Sequence, residues 1–239
     1  MHFQFSIYMK YKNGFTKAVT FSFDDGNIDD IRLIELFKKY GLKGTFNLNS
    51  GSLTESFGWT FNNTKYVKHI NYTDHLHLYD GFEVAAHSYR HPRLEQSDDN
   101  TVYNEIKLDQ KLLECLYGYK IRGMALPFGT YNERTVEIIK DCEIKYCRTV
   151  KPTYNFELPT GIILDPTCHF KDPKLLSLAE EFLNADYDEA KLFYIWGHSY
   201  EFITEEDWTR FEDFCKLISC KKDIWYCNNI EAIDNIEKP

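Results

Sequence analysis

Two hydrophobic patterns alternate along the chain. "KAVTFSF" (residues 17–23) is an apolar, β-branched and aromatic run of the kind that forms a buried strand. "IDDIRLIELFKKYG" behind it repeats Ile31, Ile34 and Leu36–Phe37 at helical spacing until Gly41 supplies a stop. "KGTFNLN" is the next strand, followed by an irregular polar and aromatic excursion that ends near residue 72. The alternation then resumes: strand "GFEVAAH" and long helix "DDNTVYNEIKLDQKLLECLYGY", strand "GMALP" and helix "NERTVEIIKDC". "IKYCRTV" leads through a Pro-containing loop to "GIILDP" and helix "DPKLLSLAEEFLNA"; "KLFYIWGH" precedes "TEEDWTRFEDFCKLISC", and "DIWYCNN" a last short helix. About seven β–α units of this kind predict a parallel sheet covered on both faces or a closed barrel. No linker, low-complexity segment or repeat divides the chain, so residues 1–239 read as one domain.

Folds of this class bind ligands at the carboxyl ends of their strands. Here the chemically active residues fall at those ends repeatedly. Asp24 and Asp25 follow the first strand, and His87 follows "GFEVAA". Pro127, Phe128 and Gly129 follow "GMAL", Asp165 follows "GIIL", and His198 follows "LFYIWG". The aspartate pair raises a geometric question, because adjacent strand residues point to opposite faces and only one of the two would reach a given site.

His87 and His91 in "HSYRHP" are four apart, a spacing at which two imidazoles can share a face and grip one ion, with Pro92 fixing the turn. Two histidines and one carboxylate leave coordination positions open. The second carboxylate is then free to take a proton from water. A bend between the two aspartates would let one act as ligand and the other as base.

Composition narrows the partners. The net charge of −9 leaves nothing to neutralise phosphates in bulk, so nucleic acid is excluded. Aromatic residues make up 16% of the chain, which suits a packed core first and a sugar-binding groove second. The seven cysteines are odd in number and form no CxxC pair, which fits free thiols rather than a disulfide framework or zinc ribbon. The first residues lack a basic start and an apolar core, and no run approaches a membrane span of about 20 apolar residues. A cytoplasmic chain is the expectation, and the sequons at Asn62 and Asn71 then read as chance.

The motifs themselves carry a resemblance. "FSFDDG" is similar to the first motif of the NodB-homology polysaccharide deacetylases (carbohydrate esterase family four), roughly T-F-D-D-G, and "HSYRHP" matches their second, H-[ST]-x-x-H-P, at every specified position. "LPFGTYN" resembles the third, R-x-P-x-G, and "YIWGHS" the fifth, an apolar strand ending in L-x-H. The resemblance implies a distorted (β/α)7 barrel and a deacetylase of N-acetylated, or less readily O-acetylated, saccharides. It implies that Asp25, His87 and His91 bind a divalent metal, zinc first, with cobalt, nickel or manganese as alternatives. Asp24 would be general base and His198 general acid, with a backbone N–H near Phe128 or Gly129 on the acyl oxygen.

The chain also departs from the pattern. Ala125 stands where the third motif has its arginine, and Arg122 sits on the wrong strand phase to replace it. Asp165 in "LDP" is the nearest match to the fourth motif and is expected to orient His198. His169, Glu201 and Trp196 are expected to meet the sugar, alongside Pro127, Phe128 and Gly129. A thiol mechanism at Cys168-His169 lacks an oxyanion loop and is set aside. Hydrolysis of small amides, as in allantoinase-like members, and a non-catalytic glycan-binding barrel are the rival readings. The missing arginine motivates the second.

Overall fold

The structure, a computed structural model, describes residues 9–53 and 58–237. In chain order the elements are β1 (Lys17–Asp24), α1 (Asp30–Tyr40), β2 (Thr45–Leu48), β3 (Gly58–Phe61), β4 (Lys65–Lys68), β5 (Glu83–Ala86), α2 (Asp99–Tyr117), β6 (Gly123–Ala125) and α3 (Glu133–Asp141). There follow β7 (Tyr146–Arg148), β8 (Ile163–Leu164), β9 (Cys168–His169), α4 (Leu175–Asn184), β10 (Lys191–Gly197), α5 (Glu205–Ile218), β11 (Ile224–Tyr226) and α6 (Asn229–Asp234). Eight strands pair in the order β8-β7-β6-β5-β2-β1-β10-β9, every pairing parallel, and β11 pairs with the start of β1. The path ends on β8 and β9, which are consecutive in sequence but not paired. This is the curled parallel sheet of the distorted barrel that the motifs implied.

The period-two alternation of the strands sorts side chains between two layers. Val19, Phe21 and Phe23 of β1 pack outward against Phe37 of α1 and against Phe211 and Phe214 of α5, with rings 4.7–6.4 Å apart. Each such ring, fully buried, contributes about 1.5–3 kcal/mol. Much of the aromatic excess is therefore structural. The inward face is polar: Thr20, Ser22 and Asp24 on β1, Thr45 and Asn47 on β2, Tyr146 and Arg148 on β7. Asn229, the first residue of α6, closes the amino-terminal end of this interior, accepting from the Thr20 hydroxyl (2.8 Å) and donating to the Tyr194 hydroxyl (2.7 Å).

Local chemistry sets the helix limits. Asp98 caps α2 through Thr101 N–H, Asn132 caps α3 through Thr135 N–H, and Thr204 and Asp207 form a reciprocal box at α5. Gly41 takes φ 63° and ends α1 as expected. The excursion after β2 is more ordered than its sequence suggests. It contains an antiparallel hairpin, β3–β4, fixed to the barrel by Lys65, which binds Asp29 (2.9 Å) and the Phe202 carbonyl (2.7 Å). All seven cysteines are free thiols. None of the described helices is long and apolar enough to cross a membrane.

Candidate active site

The aspartate pair sits at the carboxyl end of β1, in the middle of the sheet. Asp24 is the last strand residue and points into the barrel, and Asp25 has φ 75°. This left-handed conformation, which aspartate tolerates better than most residues, turns the chain so that the second carboxylate emerges on the same side as the first. Asn47 O holds the turn by accepting Asp25 N–H at 3.0 Å.

His87 follows β5 directly, and its ring is fixed from behind. Nδ1 donates to the Ala125 carbonyl (2.9 Å), so the Nε2 lone pair faces Asp25 Oδ1 at 3.5 Å. His91 Nε2 lies 4.0 Å from the same oxygen. The two histidines meet without a helix. Ser88 and His91 both take positive φ (62° and 57°) in an irregular loop that brings the rings to 4.6 Å. The shared face comes from this loop and not from a helix. Asn49 donates to the His87 and Ser88 carbonyls (2.6 and 2.8 Å), while Asp109 on α2 accepts from His87 N–H and Ser50 N–H (2.9 and 2.8 Å). Burial pulls His91 down to a pKa of about 4, more than the carboxylates raise it, so its ring is available as a neutral donor. The donor atoms of Asp25, His87 and His91 lie within 4.8 Å of one another, a nitrogen-rich, one-carboxylate set that fits a divalent metal.

Asp24 is almost wholly buried, and a cation reaches it from an unexpected strand. Arg148, at the end of β7 and fully buried, donates through Nη2 to both carboxylate oxygens, and Asn47 Nδ2 donates to Oδ1 at 2.8 Å. Its guanidinium stacks 4.7 Å from the Trp196 ring. In the sheet, Arg148 is the register partner of Ala125. Burial pushes the Asp24 pKa up, but Arg148, His87 and His198 outweigh it and hold the carboxyl below its ordinary range.

His198 directly follows β10, with Nε2 3.8 Å from Asp24 and 3.9 Å from Asp25. On its other side Nδ1 lies 3.3 Å from Glu201 Oε2, and the same oxygen accepts His198 N–H (3.0 Å) and His169 Nε2–H (2.8 Å). Burial pulls the imidazolium down, but Glu201 and the two aspartates win and raise its pKa to about 9. Burial likewise pushes Glu201 up, and its bonds to His169 and His198 bring it well below the usual carboxylate range. Asp165 takes a different place from the one expected. It accepts from the Thr149 hydroxyl (2.5 Å) and lies 3.6 Å from Lys151, while Glu201 occupies the position beside His198.

A sequence model of the polysaccharide deacetylases matches residues 12–147. The chain belongs to the polysaccharide deacetylase family. A peptidoglycan-N-acetylglucosamine deacetylase, PgdA, of Listeria monocytogenes is 28% identical over 125 residues, 52% of this chain and 24% of that protein. The chain thus spans about a quarter of the length of that relative. Among solved structures, the family 4 carbohydrate esterase of Streptomyces lividans in complex with acetate has a TM-score of 0.56 at 14% identity, over 88% of this chain and 91% of that one. BA3943 of Bacillus anthracis, a family 4 pseudoenzyme, has a TM-score of 0.56 at 18% identity, over 96% and 69%. These likenesses bear on the fold.

Set beside the motifs of this family, the third-motif loop is a tight turn in which Phe128 takes φ 59° and Gly129 φ 69°. A Cβ on Gly129 would fall 2.5 Å from Val150, so only glycine fits. Phe128 is half exposed, with its ring 4.6 Å from His91 and under the Arg93 guanidinium at 4.2 Å. A cleft of about 340 Å³ opens over Asp25 and His91, walled also by Asn49, Trp59, Arg90 and Tyr200. That volume falls within the usual range for small-molecule sites. Trp196, His169 and Glu201, expected to meet sugar, pack with Arg148 and His198. The aromatic wall comes from the β3–β4 hairpin, where Trp59 stands edge-on to Tyr200 at 5.2 Å.

Proposed function

We propose that the chain is a metal-dependent hydrolase that removes acetyl groups from a saccharide, with N-acetyl the preferred bond. The observation that carries this is the convergence at one cleft of a three-ligand set, a buried ionised carboxylate and a protonated imidazole. Asp25, His87 and His91 would hold the divalent ion, zinc by its fit to two imidazoles and one carboxylate. Such an ion supplies Lewis acidity toward water and toward an acyl oxygen.

The remaining chemistry belongs to the chain. Asp24, kept ionised and oriented by Arg148 and Asn47, accepts the proton of the attacking water. Gly129 N–H already donates to the Leu126 carbonyl at 2.8 Å, which leaves Phe128 N–H as the donor of this loop for the oxyanion. His198 donates its Nε2 proton to the leaving amine as the C–N bond breaks. The cleft is open enough for a saccharide to lie against Trp59 with its acetamido group toward His91.

The non-catalytic reading rested on the missing third-motif arginine, and Arg148 supplies a cation to the same base. The small-amide reading shares every residue of the mechanism and differs only in the substrate. Acetate and amine release from N-acetylglucosamine oligomers and from O-acetylated saccharides, together with ring opening of cyclic ureides, separates the three. Amine from the first set supports the proposal, ureide turnover alone replaces it with an allantoinase-like activity, and binding without turnover restores the glycan-binding reading.

A further inference from the structure

His169, His198 and Glu201 form a second group whose ligand atoms lie within 4.8 Å of one another, and it could in principle hold a second ion. The hydrogen bonds decide against that. His169 Nδ1 accepts Lys171 N–H at 3.1 Å, so it must keep its lone pair and the ring proton must sit on Nε2. A protonated Nε2 cannot ligate a metal, and here it points at Glu201 Oε2, 2.8 Å away. Lys171 also braces the far side by donating through Nζ to the Glu201 carbonyl at 2.7 Å.

We infer that His169 and Glu201 are positioning residues that lock the ring and tautomer of His198, leaving its Nε2 as the nitrogen that delivers the proton. Glu201 Oε2 is turned to His198 on two sides, accepting its backbone N–H and facing Nδ1. A carboxylate there favours a proton on Nδ1. When Nε2–H is given to the leaving amine, the neutral ring that remains is the Nδ1–H tautomer, whose proton lies on the side of Glu201 Oε2, 3.3 Å away, so no ring flip follows. His169 fixes the carboxylate in turn, and its ring is seated against Trp196 at 4.7 Å. Gly197, the residue before His198, makes the arrangement sterically feasible. A Cβ at that position would lie 3.1 Å from His169 Nε2 and 2.2 Å from Phe170 Cδ1. The role expected of Asp165 is thus filled from the loop after β10 and the end of β9.

This inference rests on the acid role proposed for His198, and its test has readouts that need no turnover. Imidazole ¹⁵N spectra of the metal-loaded full chain, recorded on the alkaline side of the His198 titration where the ring is neutral, should show His169 protonated on Nε2 alone and His198 protonated on Nδ1. Glu201→Gln should redistribute the His198 tautomers and lower kcat about 10²-fold, with KM and metal content unchanged. His169→Ala should lower kcat about tenfold, and His169→Gln, which keeps a donor toward Glu201, should recover most of that loss. Zinc titration should end at one ion per chain in the wild type and in His169→Ala. A second ion lost on His169→Ala, a His198 ring unchanged by Glu201→Gln, or His169→Gln as slow as His169→Ala would overturn the inference. A wild type that releases no acetate would remove the deacetylase reading, while the ring spectra would still decide the clamp.

Discussion

Arg148→Ala is the substitution with the largest calculable consequence. It removes a fully buried guanidinium whose partner, the Asp24 carboxylate, is only 3% exposed. Breaking a buried pair from one side typically costs about 3–5 kcal/mol, since the remaining charge is left uncompensated. For a chain of this size each kcal/mol moves the midpoint by roughly 2–4 °C, so a drop on the order of 6–20 °C is expected. The loss depends on pH in a definite direction. The folded pKa of Asp24 lies below its unfolded value of about 3.9, so the pair contributes its full stability above that value and loses it as pH falls through the folded pKa. In Arg148→Ala the carboxyl is pushed up instead, and the gap to wild type should narrow as acid neutralises it. Urea denaturation from pH 7 down to pH 4, with metal content measured, reads both effects. The rate should fall by about 10²-fold, within the range that general-base catalysis supplies. The double variant Ala125→Arg/Arg148→Ala places the cation on the register partner and should recover rate and midpoint together. An unchanged midpoint and a rate within about twofold in Arg148→Ala would refute the argument that this arginine holds the base.

Four further outcomes are expected. Asp25→Asn should lower metal occupancy because it removes the sole anionic ligand of the set, whereas Asp24→Asn should keep the metal and lose about 10²–10⁴-fold in rate; equal loss of metal in both variants contradicts the division. The rate should fall on the alkaline side as His198, raised to about 9 without an ion, loses its proton, and an ion's charge on Asp25 would bring that limb lower; His198→Ala should remove the limb in rate–pH curves at full metal loading. Asp109→Ala should cost about 1–3 kcal/mol in urea denaturation and weaken zinc binding, because Ser50 N–H loses its acceptor and His87 N–H keeps only the Leu48 carbonyl, and unaltered zinc affinity would separate it from the ligand loop. Trp59→Ala should raise KM for an oligosaccharide with kcat retained, and an unchanged KM would remove the hairpin from the substrate wall.

The strand ends were readable from sequence because each ends an apolar run, and a run of that kind has one carboxyl end whatever sheet it joins. The β/α alternation, Asp24-Asp25, His87 and His198 came from that logic, and His91 from its spacing to His87. What carries them is less visible. Arg148 is the last residue of "IKYCR", a charged strand end like the others, but its reach to Asp24 depends on a register and a sheet order that no local pattern states. Asp109 left a trace as an acid between Ile106 and Leu113 on the apolar stripe of α2. The turn at Asp25 and the loop joining His87 to His91 use positive φ at non-glycine residues, where spacing rules for helices and strands do not apply. Asp165 was placed beside His198 by order along the chain, yet a glutamate three residues beyond the histidine folds back on it through a local cap.

The central claim is that one ion on Asp25, His87 and His91 makes the site hydrolytic. The most direct test strips the purified full chain of metal, restores zinc in measured steps, and follows bound zinc and acetate release from N-acetylglucosamine oligomers together. The account predicts that acetate release rises in proportion to occupancy, saturates at one ion per chain, and is lost with the ion in His87→Ala. Metal-free protein as active as the loaded form, or zinc bound at that site with no acetate released from any acetylated saccharide, would contradict it.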